Sequence, residues 1–304
     1  MATDPATRAG ISAHDEWLGF VQPVGLVVAP PVLVARNVII DRNVRQRQER
    51  LDVLLNDDDT AVTDIRSIFV ELLDWEVDDL ADPAPEQQIR LPELDATLEP
   101  NWQVRDRDGA VQLLIRCEPL EIDLDDAPAN PIDGWTASPQ IRFERLLRET
   151  GIPTGLLCTP DAVRLVYAPA GETSGHITFR IEDMAQVMGR PILAAFDLLL
   201  GEYRMFRAEP GERLTSLLAE SRTAQNNVST RLARQVLGAF HELLRGFAAT
   251  DALRSDGATP IARLVVEEPQ RLYAGLVTVL MRLVFVLYVE DRDLMPVDAH
   301  YEQN

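Results

Sequence analysis

The residues whose types and spacing could do chemistry gather at the end of one predicted strand. In PNWQVRDRDGAVQLLIRCEP, residues 100–119, Arg116 and Glu118 stand two apart on an otherwise apolar run. Side chains alternate along a strand, so Gln112, Leu114, Arg116 and Glu118 share one face, and Val111, Leu113, Ile115 and Cys117 the other. Either the two charges serve a site or they close on each other as an ion pair. Acids are dense nearby: Glu121, Asp123, Asp125 and Asp126 follow, and Glu71 and Glu76 lie on a helix predicted upstream. Carboxylates are hard oxygen ligands for Mg²⁺. A rearranged acidic site that holds a metal is therefore one reading, and a solvated acidic loop is the other.

The composition removes other chemistries. All 29 basic residues are arginine, as codon bias in a GC-rich genome produces, so no mechanism can call on a lysine of this chain. Cys117 and Cys158 fall on two different predicted strands, which gives neither a disulfide framework nor metal-ligand spacing and fits a reducing cytoplasm. The four histidines, His14, His176, His241 and His300, are far apart and read as surface or core residues. No Gly-rich phosphate loop, Gly-x-Ser-x-Gly elbow or Cys/His nucleophile setting is present. Trp17, Trp75, Trp102 and Trp135 are scattered, as core residues are, and form no base-stacking platform.

Around this strand, Asp106-Arg107-Asp108-Gly109 supplies a hairpin turn, with glycine where a positive φ is needed. Upstream, Ile65, Ile68, Phe69, Leu72 and Leu73 recur at helical spacing behind Asp64 as N-cap, and ADPAPEQQ breaks the chain before the hairpin. Downstream, SPQIRFERLLRETG reads as a helix capped by Ser138, started by Pro139 and closed by Gly151. The strands TGLLC, VRLVYA and HITFRI come next. Beyond Glu182 the period is helical throughout, with Val228, Leu232, Val236, Phe240, Leu243, Leu244 and Phe247 marking a long amphipathic helix. Pro23, Pro30 and Pro31 argue for an extended, packed-down arm over residues 1–60, ending in the acidic run Asp57–Asp59. The expected organisation is this arm, an α/β domain over 61–200 and an all-α connector over 201–304.

Charge is unevenly spread. The net charge is −20, and residues 1–135 hold 28 acids against 11 arginines, so this half is a poor surface for gripping phosphates. Candidate DNA contacts fall instead on Arg222, Arg231 and Arg234 in the helical part, where charge is near balance; the alternative is a solvated helix face. Leu272 to Val289 is an apolar run interrupted only by Arg282. A mid-bilayer charge costs roughly 2.5–3.5 kcal/mol, so a buried helix and no membrane partner are expected. The N-terminus shows no export signal.

The order helix, β-hairpin, helix, strand, with polar residues at the hairpin's end, resembles the restriction-endonuclease-like core. More narrowly, the chain resembles the N-terminal nuclease-like region of large bacterial DNA methyltransferases of the type IIG restriction-modification and DISARM-like phage-defence kind. The strings that carry this are RFERLLRETGIPTGLLC, VRLVYAPAGETSGH, LLAESRTAQNNVSTRLARQVL and LMRLVFVLYVEDRDLMP, covering about residues 15–304. In that family a Pro-Asp strand and a strand ending in Glu-x-Lys precede an Asp-Leu-Asp stretch. Aligning Asp123-Leu124-Asp125 to it puts Asn101 at the Asp position, Arg116 at the Glu position and Glu118 at the Lys position. All three depart from the pattern, and the resemblance then implies a degenerate α/β domain without metal, in which Arg116 and Glu118 pair where a metal stood. It further implies a continuation beyond Asn304 into a methyltransferase domain using S-adenosylmethionine, whose Asp-x-x-x-Gly-x-Gly and Asn-Pro-Pro-Tyr motifs this chain lacks. Expected partners are DNA through the parent protein and defence-system subunits; the alternatives are a metal-dependent DNA nuclease with a rearranged acidic site and an acidic partner-binding or DNA-mimic module.

Overall fold

The computed structural model describes residues 5–55, 60–128, 135–253 and 260–291; the acidic run Asp57–Asp59 and the stretch with His300 lie outside the described residues. The chain falls into two compact units, Met1–Gln225 and Asn226–Asn304.

The first unit is mixed α/β. Three helices open it: α1 (Pro5–Val21), α2 (Pro30–Ala35) and α3 (Arg45–Leu54). They stand in place of the expected extended arm. The prolines mislead because Pro30 and Pro31 occupy the first two positions of α2, where the missing amide hydrogens have no intrahelical partner to lose. Trp17, Leu33 and Leu51 from these helices are fully buried in the main core, so the segment is part of the fold's body. α4 (Ile65–Ser67) follows, capped by the Asp64 side chain accepting from the Arg66 amide, and runs on as a wider π turn over Ile68–Leu72. A two-stranded ribbon, β1 (Ile89–Leu91) and β2 (Ala96–Leu98), precedes the main sheet.

That sheet has five strands in the order β3 (Trp102–Arg105), β4 (Val111–Cys117), β5 (Thr154–Thr159), β6 (Ala162–Tyr167) and β7 (Gly175–Arg180). All pairs are antiparallel except β4 with β5. A parallel neighbour requires a crossover, and α5 (Pro139–Thr150) supplies it. The ends of α5 are as its sequence predicts: Ser138 Oγ accepts from the Ile141 amide, Pro139 opens the helix and Gly151 closes it at φ 70°. At the hairpin turn Gly109 sits at φ 85°, a conformation that costs a side-chain-bearing residue strain.

Alternation on β4 divides the two cores. Leu113 and Ile115 join the larger core with Phe69, Phe179 and Phe196, whereas Leu114 joins Phe143, Leu146 and Leu147 of α5 on the opposite face. Simple alternation puts Val111 with Leu113, yet it packs against the smaller core. The register shifts between Val104 and Arg105, so Gln112 is an extra residue in β4; such a bulge resets the alternation. The unit is completed by α6 (Ile181–Ala185), α7 (Arg190–Leu200) and the start of α8 (Leu214–Ala252). Met205, Leu214, Leu217 and Leu218 are buried in the main core, which ties the segment after residue 200 to this unit.

The second unit contains the rest of α8, α9 (Pro260–Glu267) and α10 (Pro269–Asp291). Phe240 and Tyr273 stack with ring centroids 5.5 Å apart, and the Asp251 carboxylate accepts from the Ile261 amide at 2.8 Å. The expected buried helix is α10, and it is not buried within the described residues: only 6% of its most apolar window is covered, at a mean hydropathy of 2.1 over Pro269–Glu290. It is the one helix among the described residues long and apolar enough to cross a membrane by length and composition. Exposure extends through the consecutive residues Leu283 to Tyr288, and therefore round every side of the helix.

Candidate functional site

A cavity of about 560 Å³ opens at the C-terminal end of β4. Its floor is apolar, from Leu98, Phe143 and Leu146, and its wall carries Arg116 and Glu118 together with the acids of the following loop. The strand end and α5 thus bring one hydrophobic surface and several charges to a single place.

Of the three positions picked out from the sequence, Arg116 and Glu118 line this cavity and Asn101 sits on the adjoining hairpin ladder, each engaged by its own neighbours. Arg116 Nε donates to Glu118 Oε1 at 2.9 Å, and Arg116 Nη1 donates to the Glu99 carbonyl at 3.1 Å. The Glu118 amide donates to the Cys158 carbonyl at 2.8 Å. Asn101 extends the hairpin ladder: its amide donates to the Ile115 carbonyl at 2.7 Å, and its side-chain Oδ1 accepts from the Cys117 amide at 2.8 Å. The expected Arg116–Glu118 ion pair is therefore present.

This arrangement does not fit Mg²⁺. The one good oxygen of Asn101 is committed to a backbone amide, the Arg116 guanidinium is a permanent cation beside any incoming metal, and Glu118 is held by that guanidinium. Among the described residues no group of three or more His, Cys, Asp or Glu side chains converges as a ligand set.

The acidic loop is held more firmly than a solvated loop would be. Asp123 Oδ1 accepts from the Asp125 amide at 2.8 Å. Asp125 then takes both ends of the Arg164 guanidinium, at 2.7 and 2.8 Å. Arg164 lies on β6, buried, and also donates to Thr178 Oγ1 at 2.9 Å and Gln140 Oε1 at 3.2 Å. Its hydrogen bonds hold the Asp125 carboxyl below the usual carboxylate range. Glu121, Asp123 and Asp126 remain exposed on the cavity rim. Glu71 lines a different hollow with Asp64, Asp78 and Asp82, so the two sets of acids considered for a rearranged site are not brought together. Glu76 caps a short turn with Asp79, whose Oδ2 accepts the Glu76 amide at 2.8 Å.

The arginines expected to touch DNA separate. Arg222 is buried; it donates to the Thr173 carbonyl at 2.7 Å and lies over the Tyr167 ring. A guanidinium so placed, only 7% exposed, is a structural tie with little surface to offer a phosphate. Arg231 and Arg234 are exposed on α8 in the second unit. Of the tryptophans, Trp17 and Trp75 are buried core residues, while Trp102 lies under Arg66 and Trp135 under Arg142.

Sequence reasoning missed Arg164 and the cavity itself. The available signal was a lone arginine inside the apolar strand VRLVYA: a charge so placed needs a buried partner. No protein-family model, no curated protein and no solved structure matches this chain.

Proposed function

We propose that the first unit is a restriction-endonuclease-like domain that has lost its nuclease chemistry. On this reading the chain is the non-catalytic N-terminal portion of a DNA adenine methyltransferase of the type IIG or DISARM-like kind, cytoplasmic, and it positions DNA or defence-system subunits for modification. The observation that carries the proposal is the closure of the β4 end by the Arg116–Glu118 pair at 2.9 Å and by Asn101 on the Cys117 amide at 2.8 Å. The hairpin β3–β4, the crossover helix α5 and the parallel strand β5 support the fold assignment by their order. S-adenosylmethionine would belong to the modification domain and has no site assigned to residues of this chain. The exposed apolar surface of α10 would be the seat for that domain.

A second reading has its own observation. Residues 1–225 carry 39 acids against 21 arginines, and acids ring the cavity, which suits a module that binds a basic protein partner or mimics DNA. One pair of assays tests the first reading and separates the two. Purified chain with Mg²⁺ or Mn²⁺ should leave supercoiled, linear and single-stranded DNA intact; cleavage that requires the metal refutes the silent-domain assignment. A DNA-positioning chain should bind duplex weakly, with affinity falling as salt rises, whereas an acidic module ignores DNA at every salt concentration.

A further inference from the structure

The only two cysteines of the chain, Cys117 and Cys158, are direct register partners across the parallel strands β4 and β5. Opposed residues on neighbouring strands point to the same face, and both cysteines border the larger core. Both are free thiols. Neighbouring strands run about 4.7–4.9 Å apart, inside the roughly 4.4–6.8 Å between Cα atoms that a disulfide spans. Opposed Cβ atoms keep close to the strand spacing, wider than the roughly 3.5–4.5 Å of a relaxed bridge. A bond here would draw the strand ends together, and a bridge under such strain is readily reduced again.

The two thiols differ in access. Cys158 is fully buried, and burial pushes its thiol well above the ordinary value, with the neighbouring Cys117 thiol adding to the effect. Cys117 is the last residue of β4 and is partly exposed. An oxidant therefore meets Cys117 first, and Cys158 is placed to resolve the product.

We propose that Cys117 and Cys158 form a reversible disulfide within the chain when a hydroperoxide oxidises Cys117. In the first step the Cys117 sulfur attacks the terminal peroxide oxygen and the O–O bond breaks; that hydroxyl stays on Cys117 as the sulfenic acid, and the other half of the peroxide takes the Cys117 proton and leaves as an alcohol or water. In the second step the Cys158 sulfur attacks the Cys117 sulfur, and the hydroxyl leaves with the Cys158 proton as water. Cys117 lies between Arg116 and Glu118, and its amide is held by Asn101. Closing the bridge thus moves the strand end that forms the cavity wall. The proposal depends on the sheet register and not on the functional assignment above.

The test exposes the full chain to hydrogen peroxide, quenches it and blocks remaining thiols under denaturing conditions. Free thiols should fall from two to none, with the mass lower by two hydrogens, a cross-linked peptide joining residues 117 and 158, and recovery with dithiothreitol. Cys158→Ala should instead give a Cys117 sulfenic acid trapped by dimedone, and Cys117→Ala should leave Cys158 unmodified. Two thiols surviving in the folded wild-type chain, or a chain-to-chain disulfide in place of the internal one, would overturn the proposal.

Discussion

Replacing Asp125 by asparagine tests whether the acidic loop is anchored or merely solvated. Arg164 presents two donors to this carboxylate, at 2.7 and 2.8 Å, from a side chain only 7% exposed. The substituted amide would retain one acceptor and turn an N–H donor toward the second guanidinium nitrogen, with no negative charge. Removing one partner of a buried pair costs about 3–5 kcal/mol, but the Asp125 side chain is 60% exposed, so water screens the pair and rehydrates part of the guanidinium. The loss should therefore be nearer that of one charged hydrogen bond, about 1.5–3 kcal/mol. Arg164→Met removes the buried charge altogether and frees Asp125 into water, leaving Gln140 Oε1 and Thr178 Oγ1 without this donor. It should cost about 1 kcal/mol less than Asp125→Asn. In the Arg164→Met background, Asp125→Asn should then cost less than about 0.5 kcal/mol, since its partner is gone.

Urea denaturation followed by tryptophan emission measures this cleanly, because all four tryptophans, Trp17, Trp75, Trp102 and Trp135, lie in the first unit. The carboxyl of Asp125 is lowered in the folded state, so its contribution is complete above the unfolded value of about 3.9 and disappears as pH falls through the folded value. The wild-type advantage over Asp125→Asn should shrink accordingly in acid. Equal costs for Asp125→Asn in both backgrounds would refute the anchoring argument, as would an Arg164→Met loss exceeding that of Asp125→Asn.

Gly155→Ala should destabilise the first unit by about 1–3 kcal/mol through overpacking, because a Cβ there would stand 2.5 Å from Phe143 Cζ where α5 meets β5; a denaturation midpoint unchanged from wild type contradicts this packing. Ser138→Ala should cost about 1 kcal/mol by removing the cap on the Ile141 amide, read as a lower thermal midpoint. His14 donates from Nε2 to the Val38 carbonyl and accepts the Trp17 indole at Nδ1, and burial lowers its pKa below 6.5. Neutral His14 is thus favoured in the folded state: stability is complete above the unfolded value and declines as pH falls through the folded one. His14→Gln should flatten part of the pH dependence between about pH 7 and 5, with His176, also lowered by burial, retaining the rest; an unchanged slope tells against this role.

The parts of the fold legible in the sequence are those fixed by local codes. The Asp64 and Ser138 caps, Gly109 at its turn and the closing Gly151 depend on a few adjacent residues, and the structure uses each as expected. Periodicity places the strands β4 to β7 and the helical C-terminal part for the same reason. Residues 5–54 mislead because proline is ambiguous between a break and a first helical turn. The Arg164 anchor joins residues 39 apart, and the pairing of Cys117 with Cys158 follows only from the parallel register of β4 with β5. Such contacts are set by topology, which no local pattern encodes. The exposure of α10 escapes for a related reason: an apolar helix is compatible with any apolar surrounding, and the sequence does not say which.

At the β4 end the side chains are physically dependent on one another, which bears on how the site could change. Arg116 and Glu118 neutralise each other at 2.9 Å, so Arg116→Glu alone would put two carboxylates side by side on one strand face, and Glu118→Lys alone would put a second cation beside Arg116. Either single change brings like charges together; the first also takes the donor from the Glu99 carbonyl, and the second leaves Arg116 Nε without its acceptor. Asn101 adds a constraint of a different kind, since its oxygen replaces a backbone acceptor for the Cys117 amide; aspartate could accept the same bond and still offer a second oxygen outward. Building a metal-binding strand end here would therefore require Arg116 and Glu118 to change together, with Asn101 the easiest of the three to exchange. The closed state is a stable arrangement of its own, held by bonds that an active site would have to give up.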